Sequence, residues 1–486
     1  MFTQIQPADL MAIIPEIGLV LLAFLVMIYD LVWPKSRKRN LGFLTAGGLA
    51  IITALLLTLG YPDGEASSAF GGMIRHDMAA VIFQTIFLVA AAITSLLSVD
   101  VEKLRGGEFF ALLLISSLGM SLMASATDLI MIYVAFETTS IPAYILAAYF
   151  RRDAKSPEAG LKYFLFGAFS STIMLYGFSL LYGYTGTTHI YTIAQVFAMG
   201  GPDAPLLVAA VLVIVGVGFK ISAVPFHFWA PDVYEGAPTP VTAFVSTASK
   251  TAGFALLLRF FLAGTVGMAY AANDWVPILT AMSVGTMTLG NLLAIWQTNI
   301  KRLLAYSSIA HAGYAMMGVV ALTSAGATAT IFYLAGYVLA NLAVFGIVIL
   351  FANLSDSDEI KDYAGLSRRS PYLALAMMFA LLSLAGIPPL VGFFGKFFLF
   401  QAAVEAHLTW LAIIGVLNAI VGLYYYLMVI RVMYLFRAEP EVEAIPIPIP
   451  RSYGFALVVC VGSTIVLGIY ADPLYRWASQ AAAALF

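Results

Sequence analysis

The chain has 486 residues, of which 62% are hydrophobic and 10% charged, with a formal net charge of −2. Ordinary soluble proteins are about 45–50% apolar, so a soluble globular fold is excluded and most of the chain belongs in lipid. The near-neutral charge argues against a nucleic-acid partner. The single Cys460 lies in an apolar run and supports neither a disulfide framework nor a zinc or iron–sulfur site.

Apolar runs of about 20 residues mark helices that cross a bilayer. Counted along the chain they predict an all-α polytopic membrane fold of about fourteen spans. These lie near 10–32, 41–60, 78–99, 108–126, 128–149, 160–184, 205–229, 239–264, 275–297, 302–323, 327–353, 372–404, 408–434 and 453–471. The first run lacks a basic leader and a small-residue cleavage site, so it is expected to stay as a helix. Span 7 contains Pro225, which removes a backbone donor and clashes with the preceding turn, so that helix should kink or open. The run at 372–404 is too long for one span and contains Gly386-Ile387-Pro388-Pro389, which makes span 12 a second broken helix. Open backbone at membrane depth is tolerated only where protein buries it or it lines a wet cavity.

Tyr163 to Gly177 in span 6 aligns faintly with Phe332 to Gly346 in span 11, and in each case the next span is a broken one. Units of five spans, 4–8 and 9–13, have opposite topology because five is odd. Inverted repeats with interrupted helices in matching places point to a transport site at their interface. The expected divisions are 1–107 (helices 1–3), 108–265 (first inverted repeat), 275–436 (second inverted repeat) and 437–486 (a linker and helix 14). Residues 61–77 and 186–204 form short loops, His189 to Met199 suits an interfacial helix, and Glu441 to Pro450 alternates Pro with Ile as an extended linker does.

Lysine and arginine crowd the loops after odd-numbered spans, as at Lys35 to Arg39, Lys103, Arg105, Arg151, Arg152, Lys361, Arg368 and Arg369. Loops after even-numbered spans hold almost only Arg75. The positive-inside rule makes the basic side cytoplasmic or its equivalent, with both termini outward.

Four ionisable residues fall well inside spans: Glu137 in span 5, Lys220 in span 7, Lys250 in span 8 and Lys396 in span 12. A charge near the bilayer centre costs about 2.5–3.5 kcal/mol even on lenient scales, so such residues mark ion pathways by default. The plain alternative for Lys220 is a packing pair or a side chain snorkelling from a helix end. Glu137 is too deep to snorkel and needs a partner; a lysine on a nearby span is the natural one. Together they form a row along the membrane plane, and the proton is the fitting ion because lysines ligate Na⁺ poorly. His227 and His311 suit proton relay, although a hydrogen-bonded structural role serves each equally well. Lys162 is placed as a supporting partner for Glu137, with the cytoplasmic surface as its other option. Arg259 reads as an outer-surface anchor, while Glu16, Asp30 and Asp128 lie near helix ends and are expected to face water. Asp232 and Glu235 sit in a loop without basic residues, and sequence does not choose between a cap, a proton entrance and a partner contact. Tyr424-Tyr425-Tyr426 is expected to pack at an interface rather than bind a quinone. No metal-ligand spacing, Walker loop or dinucleotide fingerprint is present.

Three segments carry a specific resemblance. They are Phe219-Lys220 through Pro225-Phe226-His227-Phe228-Trp229 to Thr239-Pro240 with Ser249-Lys250, Asn299 through Ser307-Ser308 to His311-Ala312-Gly313-Tyr314, and Gly386-Ile387-Pro388-Pro389 to Gly395-Lys396. Over spans 4 to 13 the chain resembles the proton-translocating antiporter-like subunits of respiratory complex I, the NADH:quinone oxidoreductase of the respiratory chain. Lys396 stands where one sister type carries glutamate, and the chain stops after span 14 without the long lateral helix of another. The resemblance implies that Glu137 and Lys220 form a coupled pair, Lys250 a central relay and Lys396 the exchange with the outer side. It also implies no cofactor or metal in this chain. NADH, FMN, iron–sulfur clusters and quinone would belong to partner subunits, with antiporter-like and small linking subunits as neighbours in the bilayer. The location implied is a bacterial inner membrane, or a thylakoid membrane for the similar photosynthetic counterparts. The functional alternative is a subunit of a Mrp-type Na⁺/H⁺ antiporter, which shares the fold.

Overall fold

The structure is a computed structural model that describes residues 7–62, 66–198, 203–265, 269–355, 357–443 and 445–486. Within those residues thirteen helices are long and apolar enough to cross a membrane. They are span 1 (Ile14–Val32), span 2 (Asn40–Thr58), span 3 (Met78–Ser98), span 4 (Gly107–Ser125), span 5 (Leu129–Ala147), span 6 (Lys155–Thr185) and span 7 (Ala204–Ile221). Then follow span 8 (Thr239–Leu262), span 9 (Trp275–Ala294), span 10 (Ile300–Val320), span 11 (Ser324–Ser355), span 13 (Thr409–Leu435) and span 14 (Arg451–Ile469). Span 12 is divided into Pro371–Ala385 and Val391–Glu405, which completes the expected fourteen.

Helices dominate because lipid offers backbone groups no partner, so each apolar segment must satisfy its own. Several spans begin at a side-chain cap. Asp77 accepts from Ala80 N (2.9 Å), Asp128 from Ile130 N (2.9 Å) and Asn299 from Lys301 N (2.9 Å), each supplying an acceptor to an otherwise unpaired first-turn donor. Burial sorts the spans into a centre and a rim. Over an apolar 18-residue stretch of each span, span 8 is wholly buried and spans 10 and 11 are 94% buried, against 28% for span 1 and 33% for span 13. The buried centre is where a charge needs an internal partner.

Both expected breaks are present. Helix ends at Ile221, four residues before Pro225, and resumes as Trp229–Gly236. The opened backbone finds partners: Val224 N donates to Thr286 Oγ1 (2.9 Å), and the Trp229 indole reaches back across the break to Phe219 O (3.1 Å). Span 12 stops at Ala385, where Gly386 takes φ +89°, a left-handed conformation that favours glycine. Span 8 has an irregularity that sequence did not signal. Thr239–Phe244 passes through a π turn at Val245–Ser249 into Lys250–Thr265. Such single-turn π insertions recur at functional positions.

Outside the spans, the loop expected at 61–77 contains a small antiparallel hairpin, Ser67–Ala69 with Ile74–His76. The interfacial helix runs Ile190–Ala198, and the expected Met199 end lies outside the described residues. The linker starts with a helical turn, Pro440–Glu443, before its extended stretch. A further helix, Asp472–Ala483, packs on spans 3 and 11.

Three surface assignments are overturned. Arg259 is only 1% exposed; its guanidinium forks onto Asp77 (2.9 and 2.7 Å) and its Nε donates to Ala124 O (2.7 Å). It therefore ties span 8 to spans 3 and 4 rather than anchoring a surface. Glu16 is buried, accepting from Ser121 Oγ (2.7 Å) and Gln84 Nε2 (3.2 Å). Asp128 is buried as well, because it caps span 5 and accepts from Thr188. Asp30 is partly buried, accepting from Gly107 N (3.0 Å) as well as pairing with Lys38 (2.8 Å). In each case a partner distant in sequence draws the polar group inward.

Candidate functional site

The buried lysines are held by three different local devices. Lys220 lies in the last turn of span 7, at the break, and is 2% exposed. Its Nζ donates to Ser140 Oγ at 2.8 Å and lies 5.0 Å from the centre of the Phe136 ring. Glu137 is half-buried, one helical turn before Ser140 on span 5, and within electrostatic reach of Lys220, Tyr133 and Tyr144. The two residues expected to pair form no direct ion pair among the described residues; Ser140, one turn along span 5 from Glu137, receives the Lys220 ammonium instead. Gly167 makes room here. A Cβ on it would stand 2.0 Å from the Tyr144 hydroxyl.

Lys250 begins the helix after the π turn and is also 2% exposed. Its ammonium donates to Ser308 O (2.7 Å) and Ser308 Oγ (2.5 Å) on span 10. Ser308 Oγ also accepts from Tyr337 OH (2.8 Å), and Asn341 joins Tyr337 to Ser246 in the π turn.

Lys396 is held by the second break. Its Nζ donates to Leu384 O (3.0 Å) and Ala385 O (2.8 Å), the last carbonyls of the first half of span 12. A helix C-terminus carries unpaired carbonyls and the negative end of the dipole, so a buried cation fits there. The ammonium also lies 5.0 Å from the centre of the Tyr314 ring.

Between Lys250 and Lys396 stands His311, buried on span 10. Its Nδ1 shares a hydrogen bond with Tyr333 OH (2.5 Å) and its Nε2 with Tyr426 OH (2.9 Å). Tyr426 OH in turn meets Ser307 Oγ (2.5 Å), beside the Ser308 that holds Lys250. Of the three tyrosines expected to pack at an interface, Tyr424 is exposed while Tyr425 and Tyr426 turn inward, Tyr425 donating to Asn291 Oδ1 (3.0 Å) and Tyr426 joining this network. Ser307 and Ser308 were visible inside a motif; the tyrosines carried no signal, since a buried tyrosine usually just packs.

His227 lies in the first break, 6% exposed, with its ring against Phe228. The contacts place it apart from the His311 network. Lys162 does not reach Glu137. It pairs with Asp232 (2.6 Å) and Glu158 (2.9 Å) at the basic face. Asp232 and Glu235 lack basic neighbours in their own loop but collect them from elsewhere: Arg302 binds both at 2.9 Å, and Lys155 binds Glu235 at 2.8 Å. Burial alone would raise both carboxyls, yet these hydrogen bonds and charges prevail and hold each below its ordinary value. The cluster fixes the short helix Trp229–Gly236 to spans 6 and 10.

A helical bundle with two broken spans and cations at helix ends defines a transporter-like membrane subunit. Residues 126–422 match the family described as "NADH:quinone oxidoreductase/Mrp antiporter, TM". The chain belongs to the subunit N family of NADH-quinone oxidoreductase, the enzyme known as respiratory complex I. It is 45% identical over 473 residues to NADH-quinone oxidoreductase subunit N of Moorella thermoacetica, covering 97% of this chain and 96% of that protein. It matches a chain of respiratory complex I from Thermus thermophilus with TM-score 0.78 and 34% identity, covering 95% of this chain and 98% of that one. A chain of the Mrp complex from Dietzia sp. superposes with TM-score 0.82, at 23% identity over 97% of this chain and 52% of that one, a likeness of fold alone.

Proposed function

We propose that Glu137, Lys220, Lys250 and Lys396 carry protons through this subunit while quinone is reduced elsewhere in the complex. The observation that supports this is a run of polar groups through the buried centre. It leads from Glu137 by Ser140 to Lys220, and from Lys250 by Ser308, Tyr337 and the Tyr426–His311–Tyr333 group toward Lys396. A charge arriving beside Glu137 changes what the neighbouring ammonium experiences, and the change passes down the row electrostatically. Lys396, at the second break, exchanges with the outer side. His311 relays within this path. NADH, flavin, iron–sulfur clusters and quinone belong to partner subunits, so this chain performs no redox step. It lies in a bacterial inner membrane with both termini outward. The divisions 1–107, 108–265, 275–436 and 437–486 separate the helices that precede the row, the two units that carry it and the closing segment.

The test uses the assembled complex in proteoliposomes, with Glu137→Gln, Lys220→Ala and Lys396→Ala made singly. Proton uptake driven by NADH oxidation is expected to fall in each, with this chain still in the complex. Wild-type pumping and quinone reductase rates in the Glu137 and Lys220 variants would sink the proposal. Recovery of the chain with membrane antiporter subunits and no NADH-oxidising arm would move the same lysines to secondary Na⁺/H⁺ exchange.

A further inference from the structure

On the basic face, the loops after spans 3 and 5 border a groove of about 1160 Å³. Its headward wall carries Lys103, Arg151 and Arg152, and its lower wall Leu112, Ile145 and Pro157. Arg151 and Arg152, like Lys35 and Arg37, form no ion pair among the described residues, and what sets them apart is the apolar-walled groove they rim. Across the same surface Arg39 holds Asp100, Arg105 holds Glu102, Arg302 holds Asp232 and Glu235, and Arg368 holds Glu443. Arg151 and Arg152 are exposed. Lys103 rests its ammonium over the Phe150 ring, 5.4 Å from the centroid. The two carboxylates of the groove are already engaged: Glu108 accepts from Tyr149 OH (3.2 Å) and Asp153 from Lys155 N (3.1 Å).

The apolar wall continues into the bilayer. Span 4 runs inward from the groove and presents Ile115 beyond Leu112; span 5 presents Ile141 beyond Ile145, and span 6 presents Leu161 beyond Pro157. Unpaired arginines at the membrane surface above a continuous apolar track match one ligand chemistry, a phosphodiester anion carrying acyl chains. Arginine favours phosphate through paired, charge-assisted hydrogen bonds. Basic pockets between helices on the cytoplasmic side are sites for anionic lipid headgroups.

We propose that this groove binds the headgroup of an anionic phospholipid from the basic-side leaflet. Arg151, Arg152 and Lys103 take the phosphate, and the acyl chains lie along spans 4, 5 and 6.

The test compares intact complexes carrying wild-type chain, Arg151→Gln/Arg152→Gln, Ile145→Trp, or the distant control Arg437→Gln. Each is exchanged into nanodiscs of phosphatidylcholine with a minor share of phosphatidylglycerol, then washed in mild detergent, and the retained phosphatidylglycerol is counted by mass spectrometry. The double variant and the Ile145 variant are expected to retain about one fewer phosphatidylglycerol per complex, and Arg437→Gln the wild-type number. A photo-crosslinker at Pro157 in the wild-type background should capture phospholipid. Equal retention in all four complexes overturns the proposal. Capture of a polypeptide at Pro157 overturns it too, since the groove would then seat a partner subunit.

Discussion

Arg259 and Asp77 allow a quantitative test of how the two parts of the chain are joined. Replacing Arg259 with leucine removes three hydrogen bonds, two to Asp77 and one to Ala124 O, and leaves a carboxylate that is 1% exposed. Removing one partner of a buried pair typically costs 3–5 kcal/mol, because the other charge stays behind without compensation. Here the stranded carboxylate keeps Arg75 at 3.1 Å and the Ala80 N–H, so the lower end, about 3 kcal/mol, applies. Asp77→Leu should be worse. It strands a fully buried guanidinium and also removes the cap of span 3, adding about 1 kcal/mol. Arg259→Lys keeps a charge but loses the fork and should fall between wild type and leucine. The double variant Asp77→Ser/Arg259→Leu leaves no orphan charge and keeps a capping hydroxyl, so it should recover much of the loss. The assay is the rate at which the solubilised complex releases this chain on heating, since membrane assemblies unfold irreversibly. At about 1.4 kcal/mol per factor of ten, the Arg259→Leu complex should dissociate on the order of a hundredfold faster if the clamp opens before release. Wild-type rates for Arg259→Leu, or a double variant as unstable as the worse single one, would refute the reasoning.

Gly386→Ala is expected to impair proton pumping more than quinone reductase activity. The new Cβ would lie 2.9 Å from Lys396 Cδ at a backbone φ of +89°, so the lysine loses its two carbonyls or the helix break shifts. Pumping at the wild-type level would contradict the role given to those carbonyls. The Asp232–Glu235 cluster carries a pH signature. Both carboxyls are held below their ordinary values, so their contribution is complete above about pH 4.3 and is lost only as pH falls through the lower, folded-state values. Retention of the chain in the complex should therefore be insensitive to these groups from neutral pH to about pH 5. A cluster-dependent loss centred near pH 6, abolished by Asp232→Asn/Glu235→Gln, would show that the ion pairs are not formed as described.

The spans and both breaks were legible because they rest on local rules. Apolar length sets a helix, and Pro225 or Pro388-Pro389 ends it. The membrane-depth lysines were legible because lipid makes any charge informative. Pairing was not. Arg259 meets a residue 182 positions away, and hydropathy records only that both lie near helix ends. Lys162 was assigned to Glu137 by proximity along the spans, yet the basic face supplies Asp232 once the short helix after the break folds over it. Glu16 gave no sign of Gln84 and Ser121 for the same reason. Asp77 did carry a local clue, a carboxylate just before an apolar helix, which is a cap signature. The π turn left none, since Val245 to Ser249 would suit a plain helix equally well.

That π turn has an evolutionary consequence. Span 8 is registered on both sides of the turn: Thr242 against Tyr234 O of the short helix before it, and Lys250 against Ser308 on span 10 after it. A single insertion or deletion between them would turn everything beyond it by about 100° around the axis. One of the two contacts would then swing away. Surface loops can lengthen or shorten at modest cost, but this stretch is closed to change by length. Its descendants can vary in composition only, and the extra residue in the turn, once present, can be lost only together with one of the contacts it helps to align.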